Sequence, residues 1–181
     1  MTIPMIDFAL QYAGRGWRVF PVGQNKKPLI KWKEGATVSP SVIESWWSPT
    51  HGRWPHANIG IATGTPSGIC VVDIDSPAAL GRFLAKHGND WAKHPVPPTA
   101  VVCTGRGWHL YVDLDPGRVV KCSVGKGDEE GIDIRGEGGY VLAPPSIHPS
   151  GRIYEWNFRL LDGSAYPPLF DLAETPANSD K

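Results

Sequence analysis

The chain has 181 residues, which is enough for one domain with a sizeable core. Its 18 basic and 18 acidic side chains give a net charge of zero, so it lacks the overall positive charge of a strong nucleic-acid binder. Any polyanion must therefore bind to a local patch of positive charge. Three widely spaced cysteines, Cys70, Cys103 and Cys122, argue against a disulfide framework and against a zinc site. We therefore expect a protein of the reducing cytoplasm.

No apolar stretch approaches the roughly 18 residues that a membrane-spanning helix needs. The first ten residues also lack the basic segment with which a signal peptide begins. From these features we expect a soluble, unexported protein that has no membrane partner.

The first half of the chain predicts alternating helices and strands. Helical spacing of apolar residues predicts a helix over 6–16 that ends at its glycines. Ser39 as a cap and Pro40 at the first helical position predict another helix, with Val42, Ile43 and Trp46 on one face. The other predicted elements here are strands over 17–22, 58–62 and 68–75 and a helix over 76–88.

The second half predicts strands separated by Gly-rich and Pro-rich turns, and its last eight residues are of low complexity. The predicted strands cover 99–104, 108–114, 131–136, 139–145 and 152–156. Together the two halves indicate a mixed α/β or α+β domain.

Two carboxylates, Asp73 and Asp75, end the apolar run of the predicted strand over 68–75. Side chains alternate along a strand, so both carboxylates project from one face, where each raises the cost of ionising the other. Divalent cations relieve this repulsion, and two ions roughly 3.5–4 Å apart promote phosphoryl transfer. The alternative is a solvated strand end, with Asp75 or Ser76 capping the next helix.

A third carboxylate and an imidazole also lie on predicted strands, where alternation fixes the face from which each projects. Asp133 stands between Ile132 and Ile134, which take the buried side of their strand, and His109 lies on the strand before it. If these strands are neighbours, His109 joins the three carboxylates. Taken singly, Asp133 is an ordinary turn or edge-strand acid and His109 an ordinary sheet histidine. We expect Arg135 to point to the opposite face from Asp133, unless the strand ends there.

The densest positive charge lies between residues 14 and 33, a segment with no acidic residue and with Trp17 and Trp32 interleaved. Such a segment offers both phosphate attraction and base stacking, so we predict that it binds DNA. The alternative is a solvated face with core tryptophans. The lysines to which we assign DNA binding are Lys26, Lys27, Lys31 and Lys33.

Three segments in this order resemble the motifs of the bifunctional primase-polymerase domain of the archaeo-eukaryotic primase superfamily. They read VVDID at 71–75, TGRGWHLYV at 104–112 and GIDIRGEGGYVLAPPS at 131–146. Upstream, FPVGQNKKPLIKWKEGAT and NIGIATG are similar to the N-terminal module of that family. The resemblance covers about 20–156.

The resemblance implies an α+β fold in which a split RRM-like catalytic sheet packs with an N-terminal α/β module in a single compact domain. It implies a primase-polymerase catalytic domain over 1–160, with the N-terminal module at about 1–60 and the catalytic core at about 58–158. Residues 161–181 are then a C-terminal extension that we expect to be partly disordered.

The function implied is template-directed nucleotidyl transfer in DNA replication, with DNA primase and DNA polymerase activity by a two-metal mechanism. Asp73, Asp75 and Asp133 would be the catalytic carboxylates and would hold two divalent cations, Mg²⁺ or Mn²⁺. The residues implied to bind the nucleotide are His109, Thr104, Gly105, Arg106, Gly107 and Arg135.

The partners implied are a single-stranded DNA template, NTP and dNTP substrates, and a helicase domain or subunit. Some relatives carry a zinc-binding stem, but this chain has no cluster of ligands for one, so we expect no zinc. Two other functions stay open. A metal-dependent nuclease of the DxD type would use the same carboxylates, and a non-catalytic RRM-like binding module would need stacking aromatic residues on its sheet.

Overall fold

Two antiparallel sheets form the centre of the structure, a computed structural model that describes residues 4–87 and 100–157. The helices are α1 (Met5–Gly14), α2 (Trp32–Gly35), α3 (Pro40–Trp47), α4 (Pro77–His87) and a short 3-10 helix (Gly127–Glu129). The strands are β1 (Val19–Val22), β2 (Asn58–Ala62), β3 (Ile69–Ile74), β4 (Ala100–Cys103), β5 (Trp108–Asp113), β6 (Ile132–Arg135), β7 (Tyr140–Ala143) and β8 (Glu155–Asn157).

The smaller sheet has the strand order β1-β2-β7 and joins the N-terminal part of the chain to its third motif. Every residue of β1 and β2 is buried. A Cβ on Gly60 would lie 2.5 Å from the Phe20 ring, so the glycine lets this ring pack across the strand. The residues that follow β1 also contact β7, since the hydroxyl of Tyr140 donates to Lys26 O at 2.9 Å.

The larger sheet has the order β6-β3-β5-β4-β8 and contains the split β-α-β arrangement of an RRM-like fold. β3 and β4 both pair antiparallel with β5, so they run parallel to each other, and α4 connects them. The connection from β5 to β6 contains the 3-10 helix. The predicted α+β class and its split sheet are confirmed.

The larger sheet is covered on both faces. On one face Ile74 and Leu110 pack with Phe83 of α4 in a small buried cluster. On the other face Val71 and Tyr111 belong to the main core, which they share with both strands of the N-terminal module and with α1 and α3. The two sheets are therefore held together by one continuous apolar core.

The structure corrects some local predictions. In α3 the buried pair is Ile43 and Trp47, four residues apart, whereas Val42 is exposed. The strand predicted over 152–156 is displaced to Glu155–Asn157, because Ile153 pairs with Ile147 in a preceding hairpin. Helix α2 was not predicted. The predicted extension over 161–181 lies outside the described residues. Within those residues no helix has the length and apolarity needed to cross a membrane.

Candidate active site

Three polar side chains form one row across the larger sheet. Asp73 of β3 lies directly opposite His109 of β5 on one side and opposite Asp133 of β6 on the other. Directly paired residues of antiparallel strands project from the same face. His109 Nε2 accordingly lies 3.4 Å from Asp73 Oδ1. The strands that carry these residues are therefore neighbours, which is the condition under which His109 joins the carboxylates.

Arg135 holds the two carboxylates of this row. Its Nη2 donates to Asp73 Oδ2 at 3.1 Å and to Asp133 Oδ2 at 2.9 Å, and its Nε donates to Asp73 Oδ2 at 3.3 Å. The prediction that Arg135 points away from Asp133 is therefore wrong, because residues two apart on a strand share a face. Arg135 offsets the charge of both acidic groups.

Asp73 and Asp75 have opposite electrostatic surroundings. Burial raises the pKa of Asp73, but contact with His109 and Arg135 outweighs burial and brings the pKa down to about 2. Asp75, more exposed and one residue beyond β3, has a raised pKa, first through burial and then through the charges of Asp73 and Asp133. Repulsion of this kind is relieved by a bound cation.

The cap of α4 is Ser76 and not Asp75. Ser76 Oγ accepts a hydrogen bond from the N–H of Ala79 at 3.2 Å, as N-cap side chains do. The backbone N–H of Asp75 donates to Gly131 O at 2.9 Å and so ties the end of β3 to the start of β6. The carboxylate of Asp75 is not used as a helix cap.

A tight turn before β5 packs against the end of β3. Thr104 Oγ1 accepts hydrogen bonds from the N–H of Gly107 at 3.0 Å and of Arg106 at 3.4 Å. A Cβ on Gly107 would lie 1.7 Å from Ile74 O, so this approach requires glycine. Thr104 thus engages two of the backbone amides of this turn.

A hairpin over 146–154 brings two further basic residues to this turn. The ring of His148 covers Gly105, where a Cβ would lie 2.3 Å from the ring. Arg152 Nη1 donates to Gly105 O at 3.3 Å. We did not predict either residue from the sequence. The only signal for His148 is its position two residues after the third motif.

Four basic side chains lie within electrostatic reach of one another near this hairpin. The pKa of His148 is lowered, first by burial and then by the positive charges of Lys26, Arg106 and Arg152. Lys26 also interacts with the carboxylates of the site. The positive charges of Lys26, Arg106 and Arg152 beside clustered carboxylates suit a ligand that carries several phosphates.

A cavity of about 410 Å³ lies between the two sheets at this point. Charged and polar side chains of its wall include Lys26, Asp73, His109 and Arg135. Gly138 and Gly139 also line it, so the backbone of the third motif borders this space. The volume lies in the range of pockets that hold small molecules.

The predicted DNA-binding lysines do not share one location. Lys26 is half-buried, lines the cavity and has a φ of +64° in the turn after β1. Lys27, Lys31 and Lys33 are exposed. Lys26 thus lies with the carboxylates, while the other three remain candidates for a surface that meets DNA.

The two tryptophans of the basic segment also separate. Trp17 is only 4% exposed and stacks on Tyr111, with ring centroids 5.6 Å apart. Trp17 is therefore a core residue, as the alternative for this segment has it, and its ring is not available for base stacking. Trp32 is half-buried and lines the cavity.

The family model described as "Bifunctional DNA primase/polymerase, N-terminal" matches residues 9–176, which is most of the chain. The chain belongs to this Prim-Pol family. No curated protein sequence matches it significantly. The match includes the row of Asp73, His109 and Asp133, the turn before β5 and the hairpin with His148.

The Prim-Pol site has suitable donors for a divalent cation. Asp73, Asp75 and Asp133 supply carboxylate oxygens, which Mg²⁺ and Mn²⁺ prefer. Across residues 4–87 and 100–157, no group of three or more His, Cys, Asp or Glu side chains has the arrangement needed to hold a metal ion. Arg135 takes one oxygen of Asp73 and one of Asp133, but each carboxylate retains acceptor sites. The other oxygens also have neighbours, since His109 Nε2 lies 3.4 Å from Asp73 Oδ1 and the N–H of Gly125 donates to Asp133 Oδ1 at 3.1 Å.

Proposed function

We propose that this Prim-Pol domain is a template-directed nucleotidyltransferase that acts as a DNA primase and as a DNA polymerase in replication. It would join a nucleotide to a 3′ hydroxyl, with release of pyrophosphate from an NTP or dNTP. The observation that carries the proposal is the row of Asp133, Asp73 and His109 beside a cavity lined by Lys26 and Arg135. A single-stranded DNA template is the expected partner, together with a helicase.

Asp73, Asp75 and Asp133 would hold two divalent cations, Mg²⁺ or Mn²⁺. When bound, such ions activate the attacking hydroxyl and neutralise the charge on the leaving group. His109 and Arg135 support this role because they keep Asp73 ionised, with a pKa of about 2. The raised pKa of Asp75 supports it too, because its carboxylate gains most from a nearby positive charge.

The triphosphate would be bound by basic groups of the cavity and its rim. Lys26 and Arg135 line the cavity, and Arg106 is close enough to Lys26 to lower its pKa, after the larger effect of burial. Positive groups so placed offset the charge of phosphates and stabilise the charge that develops on the leaving pyrophosphate. The proposal therefore assigns the turn before β5 to phosphate binding through Arg106.

His109 would contact a phosphate oxygen as well as Asp73. It is 5% exposed, lines the cavity, and its Nδ1 has no hydrogen-bond partner among the described residues. A buried polar atom without a partner costs about 1–3 kcal/mol. Its Nε2 faces Asp73, so Nδ1 is the ring atom left to meet a phosphate oxygen.

A non-catalytic RRM-like module is disfavoured by the packing of the same sheet face. Tyr111 stacks on Trp17, and Trp156 Nε1 donates to Tyr12 OH at 3.1 Å. These aromatic side chains pack inside the domain, whereas RRM modules use exposed rings to stack bases. A nuclease that uses the same carboxylates is distinguished from a polymerase by the extension experiment that follows.

The test is extension of labelled DNA with NTPs or dNTPs in Mg²⁺ or Mn²⁺. Elongation of a primed template supports polymerase activity, and products on an unprimed template support primase activity. Asp133→Asn, which keeps the side-chain shape, serves as the matched control and should be inactive. Shortening of DNA in the absence of nucleotides would instead indicate a nuclease and overturn the proposal.

A further inference from the structure

Aromatic side chains form part of the cavity wall. Trp32 and Tyr140 line the cavity, and their ring centroids lie 5.2 Å apart. Behind them, the fully buried ring of Phe20 stacks on Trp32 at 5.3 Å and meets Tyr140 edge-on at 5.4 Å. We call Trp32 and Tyr140 the aromatic wall. The phosphate contacts proposed above leave this wall without a role.

The aromatic wall is fixed by the fold and needs no ligand to form. Tyr140 lies on β7, opposite Ala62 of β2, and its hydroxyl donates to Lys26 O at 2.9 Å. Trp32 is the first residue of α2 and rests on Phe20. A wall held in this way loses little conformational entropy when a ligand packs on it.

Lys26 links the aromatic wall to the charged part of the cavity. Its carbonyl accepts the Tyr140 hydrogen bond, while its side chain lines the cavity together with Asp73 and Arg135. The cavity thus combines cationic side chains with flat apolar rings. That combination matches a ligand with phosphates at one end and a planar heterocycle at the other.

We infer that the aromatic wall binds the base of the incoming nucleoside triphosphate. This inference rests on the proposed function, because it takes the triphosphate to be the ligand of the cavity. Lys33 Nζ lies 5.9 Å from the Trp32 ring centroid on an exposed, flexible side chain, so a base that stacks there would displace it. Trp32 then serves the nucleotide rather than the template.

The test compares three ligands by calorimetry without DNA, in Ca²⁺: a nucleoside triphosphate, ribose 5-triphosphate and inorganic tripolyphosphate. Wild type should bind the nucleoside triphosphate at least about fivefold more tightly than the two ligands without a base, since stacking on an aromatic ring contributes about 1–3 kcal/mol. Trp32→Leu should abolish that difference and leave tripolyphosphate affinity unchanged. Trp54→Leu, which removes another half-buried tryptophan, should preserve the difference.

Equal affinity of wild type for all three ligands would overturn the inference but not the proposed function. A wild type that binds none of them would contradict the proposed function itself. The inference is also contradicted if Trp32→Leu lowers the affinity for all three ligands equally. It is contradicted as well if Trp32→Leu lowers the affinity for single-stranded DNA and leaves the affinity for the nucleotide unchanged. If Trp32→Leu does not fold, Trp32→Met keeps a long side chain against Phe20 and is measured in its place.

Discussion

Asp73 and Asp133 lie directly opposite each other on neighbouring strands, and each gives one carboxylate oxygen to the guanidinium of Arg135. Two anions in this position repel each other, so a cation between them stabilises the fold. A divalent ion that binds the same carboxylates must share or replace the contacts of Arg135. An ion bound there would compete with Arg135 for these oxygens.

Removing Arg135 should strengthen metal binding and weaken catalysis. Arg135→Gln should raise Mn²⁺ affinity without nucleotide by about tenfold or more, because an adjacent opposite charge shifts a carboxylate pKa by about 1–3 units. The same variant should lose most nucleotide incorporation, since a phosphate contact disappears. Mn²⁺ titration followed by electron paramagnetic resonance measures the affinity, with Arg118→Gln as the control for an exposed arginine. Unchanged or weaker Mn²⁺ binding would show that the guanidinium does not compete.

The two carboxylates of β3 should differ in their effect on stability. Asp73→Asn should lower the free energy of unfolding at pH 7 by about 2 kcal/mol, because its pKa falls from 3.8 to about 2 in the folded protein. Asp75→Asn should leave stability equal or higher, because the raised pKa of Asp75 means that its ionised form is disfavoured. Both variants should lose nucleotide incorporation. Urea unfolding measures the first effect and primer extension the second.

Acid titration provides the control for this pair. A depressed pKa contributes stability that is complete above the unfolded value of about 3.8 and is lost as the pH falls toward 2. Over that pH range the free energy of unfolding of the wild type should fall by about 2 kcal/mol more than that of Asp73→Asn. Identical pH dependence in the two proteins would contradict the assigned environment of Asp73.

The alternation of side chains along strands predicts much of the row formed by Asp73, His109 and Asp133. Side chains alternate between the two faces of a strand, so the face of Asp73, His109 or Asp133 follows once the strand that carries it is predicted correctly. Contacts made by pairs distant in sequence were harder to predict. The pairing of Arg135 with Asp73 depends on which strands lie side by side, a property that a single strand does not encode.

Residues in turns were the least predictable part of the site. Lys26 enters the cavity because its turn adopts a φ of +64°, a conformation for which lysine gives no local signal. His148 reaches Gly105 through a hairpin that packs against a turn more than forty residues earlier. Trp17 faces the core because Tyr111 stacks on it, and no periodicity in the basic segment indicates that contact.

The lysines should separate into two functional groups. Neutralising Lys27, Lys31 and Lys33 together should weaken single-stranded DNA binding and flatten its salt dependence, since fewer counterions are released. Lys26→Asn should instead weaken nucleotide binding and leave the salt slope unchanged, because Lys26 lines the cavity. Asparagine tolerates the positive φ at this position, so the fold should be preserved. Fluorescence anisotropy over a series of salt concentrations measures DNA affinity and its salt dependence for both variants. If the triple variant has the same salt dependence as wild type, those three lysines form only a solvated face.

Two glycines provide opposite tests of local packing. Gly107→Ala should destabilise the protein by at least about 1–3 kcal/mol or displace the turn, because its Cβ would lie 1.7 Å from Ile74 O. Gly81→Ala should stabilise by about 0.5–1 kcal/mol, since Gly81 lies inside α4 with open space at its Cβ. Urea unfolding of both variants provides the measurement. A neutral Gly107→Ala with full activity would show that the turn does not need its close approach to β3.

Replacing His109 should impair nucleotide use more than DNA binding. A hydrogen bond to a charged phosphate is worth about 1.5–3 kcal/mol, so His109→Ala should lose about tenfold to a few hundredfold in catalytic efficiency. The variant should also raise the pKa of Asp73, because contact with His109 helps to lower it. Single-turnover incorporation at increasing triphosphate concentrations separates nucleotide affinity from the rate of the chemical step.

Two amide variants distinguish the roles of the two ring nitrogens. Glutamine places its amide near the position of Nε2, which lies 3.4 Å from Asp73 Oδ1, so His109→Gln should retain more of the stability. Asparagine places its amide near the position of Nδ1, the atom without a partner among the described residues, so His109→Asn should retain more of the nucleotide affinity. The opposite order, or a loss of DNA binding as large as the loss of nucleotide binding, would make His109 a structural residue of the sheet.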